Sequence, residues 1–194
     1  FDQQENGYLD SWRFASGHLT ASGWHATSAS YRQPYHWIII YDQTLGREIK
    51  RVRVSDAARP DIAKYYGRTY GAAKAGWNLD YDFGTDSRYL NDQLQLISRY
   101  SDDQQGGEGH HTDYWYSPLK ADQANRANLD NVTIAGGKLN LAGWHATDGS
   151  LGREHHFIIL LDAQGHELGR LPVKNIARAD VGRAFAGIYN SANS

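Results

Sequence analysis

Apolar and polar residues alternate along most of this chain with a period of two, and the alternating runs are short. Trp77, Leu79, Tyr81 and Phe83 fall on one face of a run whose other face is Asn78, Asp80 and Asp82, the pattern of a half-buried strand. The same reading predicts strands at Trp12–Ser16 and His18–Trp24, separated by a glycine. It predicts others at Tyr35–Asp42, Arg47–Val54, Gln93–Tyr100 and Asp113–Ser117. One segment departs from the pattern. Ala58–Tyr66 has Pro60 where a helix can start and Ile62, Tyr65 and Tyr66 at i, i+3 and i+4, which predicts one or two helical turns. About seven strands in roughly 110 residues is the count of an immunoglobulin-like, all-β antiparallel sandwich.

The pattern occurs twice. Gly23-Trp24-His25-Ala26-Thr27 recurs as Gly143-Trp144-His145-Ala146-Thr147. His36-Trp37-Ile38-Ile39-Ile40-Tyr41-Asp42 recurs as His156-Phe157-Ile158-Ile159-Leu160-Leu161-Asp162, and Ala58-Arg59-Pro60-Asp61-Ile62 as Ala177-Arg178-Ala179-Asp180-Val181. The alignment slips by one residue between the apolar runs, where Gln43-Thr44-Leu45-Gly46 faces Ala163-Gln164-Gly165. A hairpin loop absorbs such a change, whereas a strand interior would flip its faces, so each copy is predicted to hold a hairpin there. The expected organisation is a first repeat over 8–118, a linker over 119–128 and a second repeat over 129–194. Counterparts of Trp77–Phe83, Gln93–Tyr100 and Asp113–Ser117 are missing from the second repeat. Either the sequence ends before the copy does, or the partial copy packs against the first repeat, or a neighbouring repeat or a second chain completes it; alone it would expose an apolar face and unpaired edges.

The residues repeated in the two copies also carry a resemblance. Gly23-Trp24-His25-Ala26-Thr27, Pro34-Tyr35-His36, Ile38-Ile39-Ile40-Tyr41-Asp42, Ala58-Arg59-Pro60-Asp61, Ile97-Ser98-Arg99-Tyr100-Ser101 and Asp113-Tyr114-Trp115 resemble tandem modules of exported, cell-wall-associated proteins of lactobacilli and related lactic-acid bacteria. The likeness covers most of the first copy and the available part of the second. It implies a secreted, cell-surface location and attachment to wall or extracellular polysaccharide. The second copy departs from it, lacking Pro34 and having His155 where Tyr35 stands.

Composition narrows the functions. The formal net charge is −2, and Arg51 and Arg53 lie on the opposite strand face from Lys50, so no concentrated basic surface offers itself to nucleic acid. The longest apolar run, Phe157–Leu161, is far too short to insert in a membrane. Cysteine is absent, which removes disulfides, thiolate metal sites and a thiol nucleophile. Methionine is absent too, and with Phe1 in first place a processed or excised piece of a longer chain is expected. No phosphate-loop, hydrolase-elbow or metal-ligand spacing occurs, so neither a metal nor another cofactor is expected. Asp80 and Asp82 share a strand face without any feature that would raise a carboxyl pKa, and a solvated face is expected for them.

The aromatic surplus, with 6 Trp and 13 Tyr, supplies the candidate binding residues. Trp24 and Trp144 are either core anchors or flat platforms for a sugar ring. His25 and His145 point away from those neighbours on a regular strand and are the binding candidates wherever the tryptophan is buried. Tyr35, His36 and His156 sit in the loop-to-strand segment that differs between the copies. Tyr114, Trp115 and Tyr116 follow the glycine-rich stretch Gly106–Gly109 and form the strongest unduplicated candidate, with core and edge packing as the alternative. The function expected from sequence is non-catalytic anchoring of a larger exported protein to a wall glycan or polysaccharide. The alternatives are an architectural spacer or assembly module, or a fragment of a carbohydrate-active or peptidoglycan-hydrolysing enzyme.

Overall fold

In a computed structural model, residues 4–15, 17–86, 88–120 and 124–194 are described; Ser16, at the end of the first expected strand, and 121–123, in the expected linker, lie outside the described residues. The alternating runs become strands and the departing segment becomes a helix. In chain order these are β1 (Glu5–Ala15), β2 (His18–Thr27), β3 (Tyr35–Asp42), β4 (Arg47–Arg53), α1 (Pro60–Tyr66), β5 (Gly76–Asp82), β6 (Gln93–Ser101), β7 (His111–Trp115) and β8 (Leu119–Lys120). The duplicated half follows as β9 (Asn125–Ala135), β10 (Lys138–Thr147), β11 (His156–Leu161), β12 (Glu167–Val173) and α2 (Ala179–Ala184). Strands β8 and β9 thus occupy both ends of the stretch expected to be a linker. The chain forms two compact units, one holding most of residues 1–121 and the other residues 122–194.

The first unit is an all-β, sandwich-like pair of antiparallel sheets, one ordered β1-β2-β5 and the other β4-β3-β6-β7 with β8 also paired to β6. Alternation decides which side chains lie between them. Leu19, Ala21 and Gly23 on β2 pair across with Tyr81, Leu79 and Trp77 on β5. Ile38 and Ile40 on β3 line up with Ser98 and Leu96 on β6. Trp77 is 1% exposed; its indole N–H donates to the Tyr116 hydroxyl at 2.8 Å, which donates to the Trp24 carbonyl at 2.9 Å. Gly23 makes this packing possible. A Cβ there would lie 2.6 Å from the Tyr8 carbonyl oxygen and 2.7 Å from the Trp77 ring, closer than packed atoms approach.

Helix α1 starts with Pro60 in its first turn, where a missing N–H costs nothing. Its Ile62 and Tyr66 cover Trp24 and Ala26, on the outer side of β2. Arg59 fixes the entry to the helix by forking onto Asp61 and reaching Asp10 at 2.6 Å; the guanidinium beside it holds the Asp61 carboxyl down at about 2.

The hairpins fall where the sequence slips. Asp42 Oδ1 accepts from the Leu45 N–H at 2.9 Å and Gly46 has φ +67°. In the shorter copy Asp162 Oδ1 accepts from Gln164 and His166, and Gly165 has φ +85°. Both turns need the left-handed conformation that glycine adopts without strain.

The second unit repeats the first half of the first. Its described strands form two separate hairpins, β9-β10 and β11-β12. Trp144 meets Phe185 at 5.3 Å as Trp24 meets Tyr66 at 5.6 Å, and Arg178 bridges Asp130 and Asp180 as Arg59 bridges Asp10 and Asp61. The difference lies in what is covered. Ile38, Ile39 and Ile40 are 0–3% exposed, whereas Ile158, Ile159 and Leu160 are 38–48% exposed. No helix among the described residues is long and apolar enough to cross a membrane.

Candidate functional site

Polar groups inside a sandwich must be paired, and those of the first unit converge on one hydroxyl. Alternation turns His25 of β2, His36 of β3 and Ser98 of β6 into the space between the sheets. Ser98 Oγ lies 2.7 Å from His36 Nε2 and 3.0 Å from His25 Nδ1. On its far side His36 Nδ1 lies 2.7 Å from Asp56 Oδ1. The Asp56 carboxylate accepts from His36 Nδ1–H, and His36 Nε2 faces the Ser98 hydroxyl. On its other side the Ser98 hydroxyl meets His25 Nδ1. Tyr100, two residues along β6, stacks on His36 at 4.1 Å and donates to the His25 carbonyl at 3.2 Å. The hydroxyl therefore ties both sheets together.

Asp56, His36 and Ser98 are in the order of a hydrolase triad, but their surroundings differ from one. Ser98 is fully buried and His36 is 2% exposed, and the serine oxygen is engaged by imidazole on both sides. Nucleophilic attack needs a path for a carbonyl carbon to Oγ and donors for the resulting oxyanion; a sealed hydroxyl between two rings offers neither.

Burial also sets the protonation of His25. Desolvation pushes its pKa below the usual histidine value, against the raising effect of Glu5, whose carboxylate stands 3.3 Å from Nε2. Unfolding restores the ordinary value of about 6.5. The folded unit therefore binds a proton less readily than the unfolded chain. Its stability is complete above pH 6.5 and is lost as pH falls from there toward the depressed folded value, by up to about 1.4 kcal/mol per pH unit. Urea midpoints measured from about pH 8 to pH 5 should fall in the native protein and fall less steeply in His25→Asn. Parallel curves for the two proteins would dissociate the acid response from this residue.

The second unit has half of this arrangement. His145 and His156 stand at the positions of His25 and His36, with ring centres 5.9 Å apart. Their outer nitrogens are held, His145 Nε2 by Asn125 and His156 Nδ1 by Asn175, each at 2.7 Å. Asn125 and Asn175 occupy the places of Glu5 and Asp56. The inner nitrogens, His145 Nδ1 and His156 Nε2, correspond to those that meet Ser98, and among the described residues nothing takes that place.

A second polar cluster lies on the outer face of the β3–β6–β7 sheet. Arg99, 5% exposed, forks onto Asp113 at 2.7 and 2.6 Å and reaches Glu108 at 3.0 Å. Both Arg99 and Arg51 donate to the Gly106 carbonyl, which lays the 102–110 loop over the Trp37 ring. Beside it Tyr41 meets Trp115 edge to face at 5.4 Å, and Arg53 sits 4.6 Å over the Tyr35 ring.

The structure therefore distributes the sequence candidates. Trp24 is buried beneath α1, and His25, His36 and Tyr116 are buried between the sheets, out of reach of a ligand at the surface. Trp24 and His25 do point oppositely, but α1 covers the face that alternation alone leaves in solvent. Tyr35 and Tyr114 are half-buried, Trp115 is half exposed, and Trp144, His145 and His156 are half-buried in the second unit. Ser98, Asp56, Asn125 and Asn175 escaped the sequence reading. Their signal was recurrence of polar residues flanking the duplicated histidines, and one inward-facing serine in the apolar run of β6. Among the described residues, no three metal-ligating side chains gather at one point. Comparison of the chain with protein-family models, with curated proteins and with solved structures finds no match in any of the three.

Proposed function

We propose that this chain is a non-catalytic architectural module of a repeat-built, exported surface protein, whose sandwiches are closed by strands pairing around a shared histidine–serine contact. The observation that carries this reading is the duplication, in which the second unit keeps each element of the first half-sandwich and its histidine pair. The β10 and β11 edges, unpaired among the described residues, suit pairing with further strands of the same kind. The surface location rests on the resemblance of the repeated motif to wall-associated modules.

Adhesion to polysaccharide is the second reading, favoured by one observation: Trp115 is half exposed and braced by Tyr41, and such a ring can stack on a pyranose face. Sedimentation of the intact chain with insoluble cell walls and with several polysaccharides, with and without soluble competitor, separates the two. An architectural module should stay in the supernatant. Saturable, competable retention that disappears in Trp115→Ala would instead assign adhesion to this chain.

A further inference from the structure

The outer edge of β4 in the first unit differs in chemistry from the matching edge of the second. Among the described residues β4 ends its sheet and pairs with β3 alone, Trp37 standing opposite Arg53 and Ile39 opposite Arg51. The Val54 N–H donates to the His36 carbonyl at 3.0 Å, which sets the phase of the ladder. Ile38 and Val52 then exchange the bonds, while Arg51 and Arg53 turn their N–H and C=O groups away from β3, out of the open edge. In the second unit Phe157 and Ile159 face Pro172 and Arg170 in the same register, so Pro172 stands where the first unit has Arg53. Proline has no N–H to offer and blunts a sheet edge. The same hairpin therefore forms with this edge position blocked, and the first unit leaves it open.

Charge restricts what can add to that edge. Within β4, Arg47, Lys50, Arg51 and Arg53 stand against Glu48 alone. Glu48 is taken up by Arg51 and the charge of Arg47 reaches Asp92, whereas Lys50 and Arg53 make no ion pair among the described residues. Arg53 is held instead 4.6 Å over the Tyr35 ring and 5.7 Å over the Trp37 ring. A guanidinium stacked in this way keeps its N–H fork for a carboxylate. His155 and Phe157 replace the two rings in the second unit, so the hairpin requires neither the stack nor the cation. A second copy of β4 would set cation against cation, and an acidic strand meets no such repulsion. We infer that the β4 edge of the first unit docks an extended acidic segment of another polypeptide. The segment adds as a strand beside β4, bonds the Arg51 and Arg53 backbone groups and sets a carboxylate on the Arg53 fork. This holds whether the module as a whole is architectural or adhesive.

The test uses the full chain and a synthetic peptide that alternates glutamate with threonine and is long enough to span β4. A glutamine–threonine peptide of equal length is the control. The glutamate peptide should slow hydrogen exchange at the Arg51 and Arg53 amides, and salt should weaken it. The glutamine peptide should bind about tenfold more weakly, the equilibrium counterpart of losing a charge-assisted bond. Arg53→Pro, which copies the second unit, should abolish the protection, with near-ultraviolet circular dichroism reporting the packing of the sandwich. Arg53→Gln keeps the backbone N–H and should weaken binding about tenfold, so the test stands even where the proline variant does not fold. Equal affinity for the two peptides, native affinity in either Arg53 variant, or binding that leaves the two amides unprotected would each overturn the inference. Protection that needs no peptide and grows with the concentration of the chain would overturn it in favour of self-pairing. Arg53-dependent binding of polyglucuronate in place of the peptide would overturn it in favour of an acidic glycan.

Discussion

Replacing Trp77 by alanine should lower the stability of the first unit by about 3–5 kcal/mol, the usual cost of emptying a site filled by a buried aromatic. Three contributions add. The ring fills the space over Gly23, so the residue directly opposite it on β2 has no side chain to relax into the vacancy. Its N–H donates to Tyr116, which in turn donates to the Trp24 carbonyl, so the change strips a buried hydroxyl of its donor. Burial raises the Tyr116 pKa, so the hydroxyl stays protonated and keeps its bond to the Trp24 carbonyl while its oxygen goes without the indole donor. Trp77→Phe should recover the packing and not the hydrogen bond, and its cost should fall between native and alanine. Urea unfolding followed by near-ultraviolet circular dichroism measures both. A loss under about 1 kcal/mol in Trp77→Ala would mean that the sheets do not meet through this ring.

The second large effect is expected at Arg99. Its guanidinium, 5% exposed, holds Asp113 through two parallel bonds and Glu108 and the Gly106 carbonyl through a third nitrogen. Arg99→Met keeps the stem and removes the charge. It leaves the Asp113 carboxylate, 16% exposed, facing the sheet without its fork. Breaking a buried ion pair from one side costs about 3–5 kcal/mol, and the lower end applies because Asp113 and Glu108 keep some water and Arg51 remains nearby. Arg99→Met with Asp113→Leu should be milder than Arg99→Met alone, since no orphan charge remains. Proteolysis within 102–110 should accelerate in Arg99→Met, because that loop is held down by the two arginines. If the single and double variants unfold alike, the fork acts as an ordinary surface pair.

What could be read from the sequence was local. The hairpins were legible because the one-residue slip had to fall in a loop, and Asp42 and Asp162 do begin turns of different length. Helix α1 was legible from Pro60 and the spacing of Ile62 and Tyr66. The two-sheet architecture followed from alternation, although the likeness to an immunoglobulin domain extends no further here than paired antiparallel sheets. The site was not legible, for a physical reason. Alternation says that Trp24 and His25 part company, but only tertiary structure says that α1 covers one side and Ser98 meets the other. His25 and Ser98 have no shared motif because they meet from strands of different sheets. Likewise nothing local marks Arg99 as buried; its setting comes from a loop that folds back over its strand.

The separation of those strands has a consequence for biosynthesis. The hairpins of each half close between sequence neighbours, which takes on the order of microseconds. The strands that complete the first unit arrive later: at roughly 5–20 residues per second, making the chain from Arg53 to Ser101 occupies on the order of 2–10 s. Once α1 has been made, and until β6 follows, the first half stands as the second unit does now, with formed hairpins, a docked helix and an uncovered isoleucine row. The second unit is in effect a picture of the nascent first one, and its open face is a hazard each repeat passes through on the ribosome before β6 emerges.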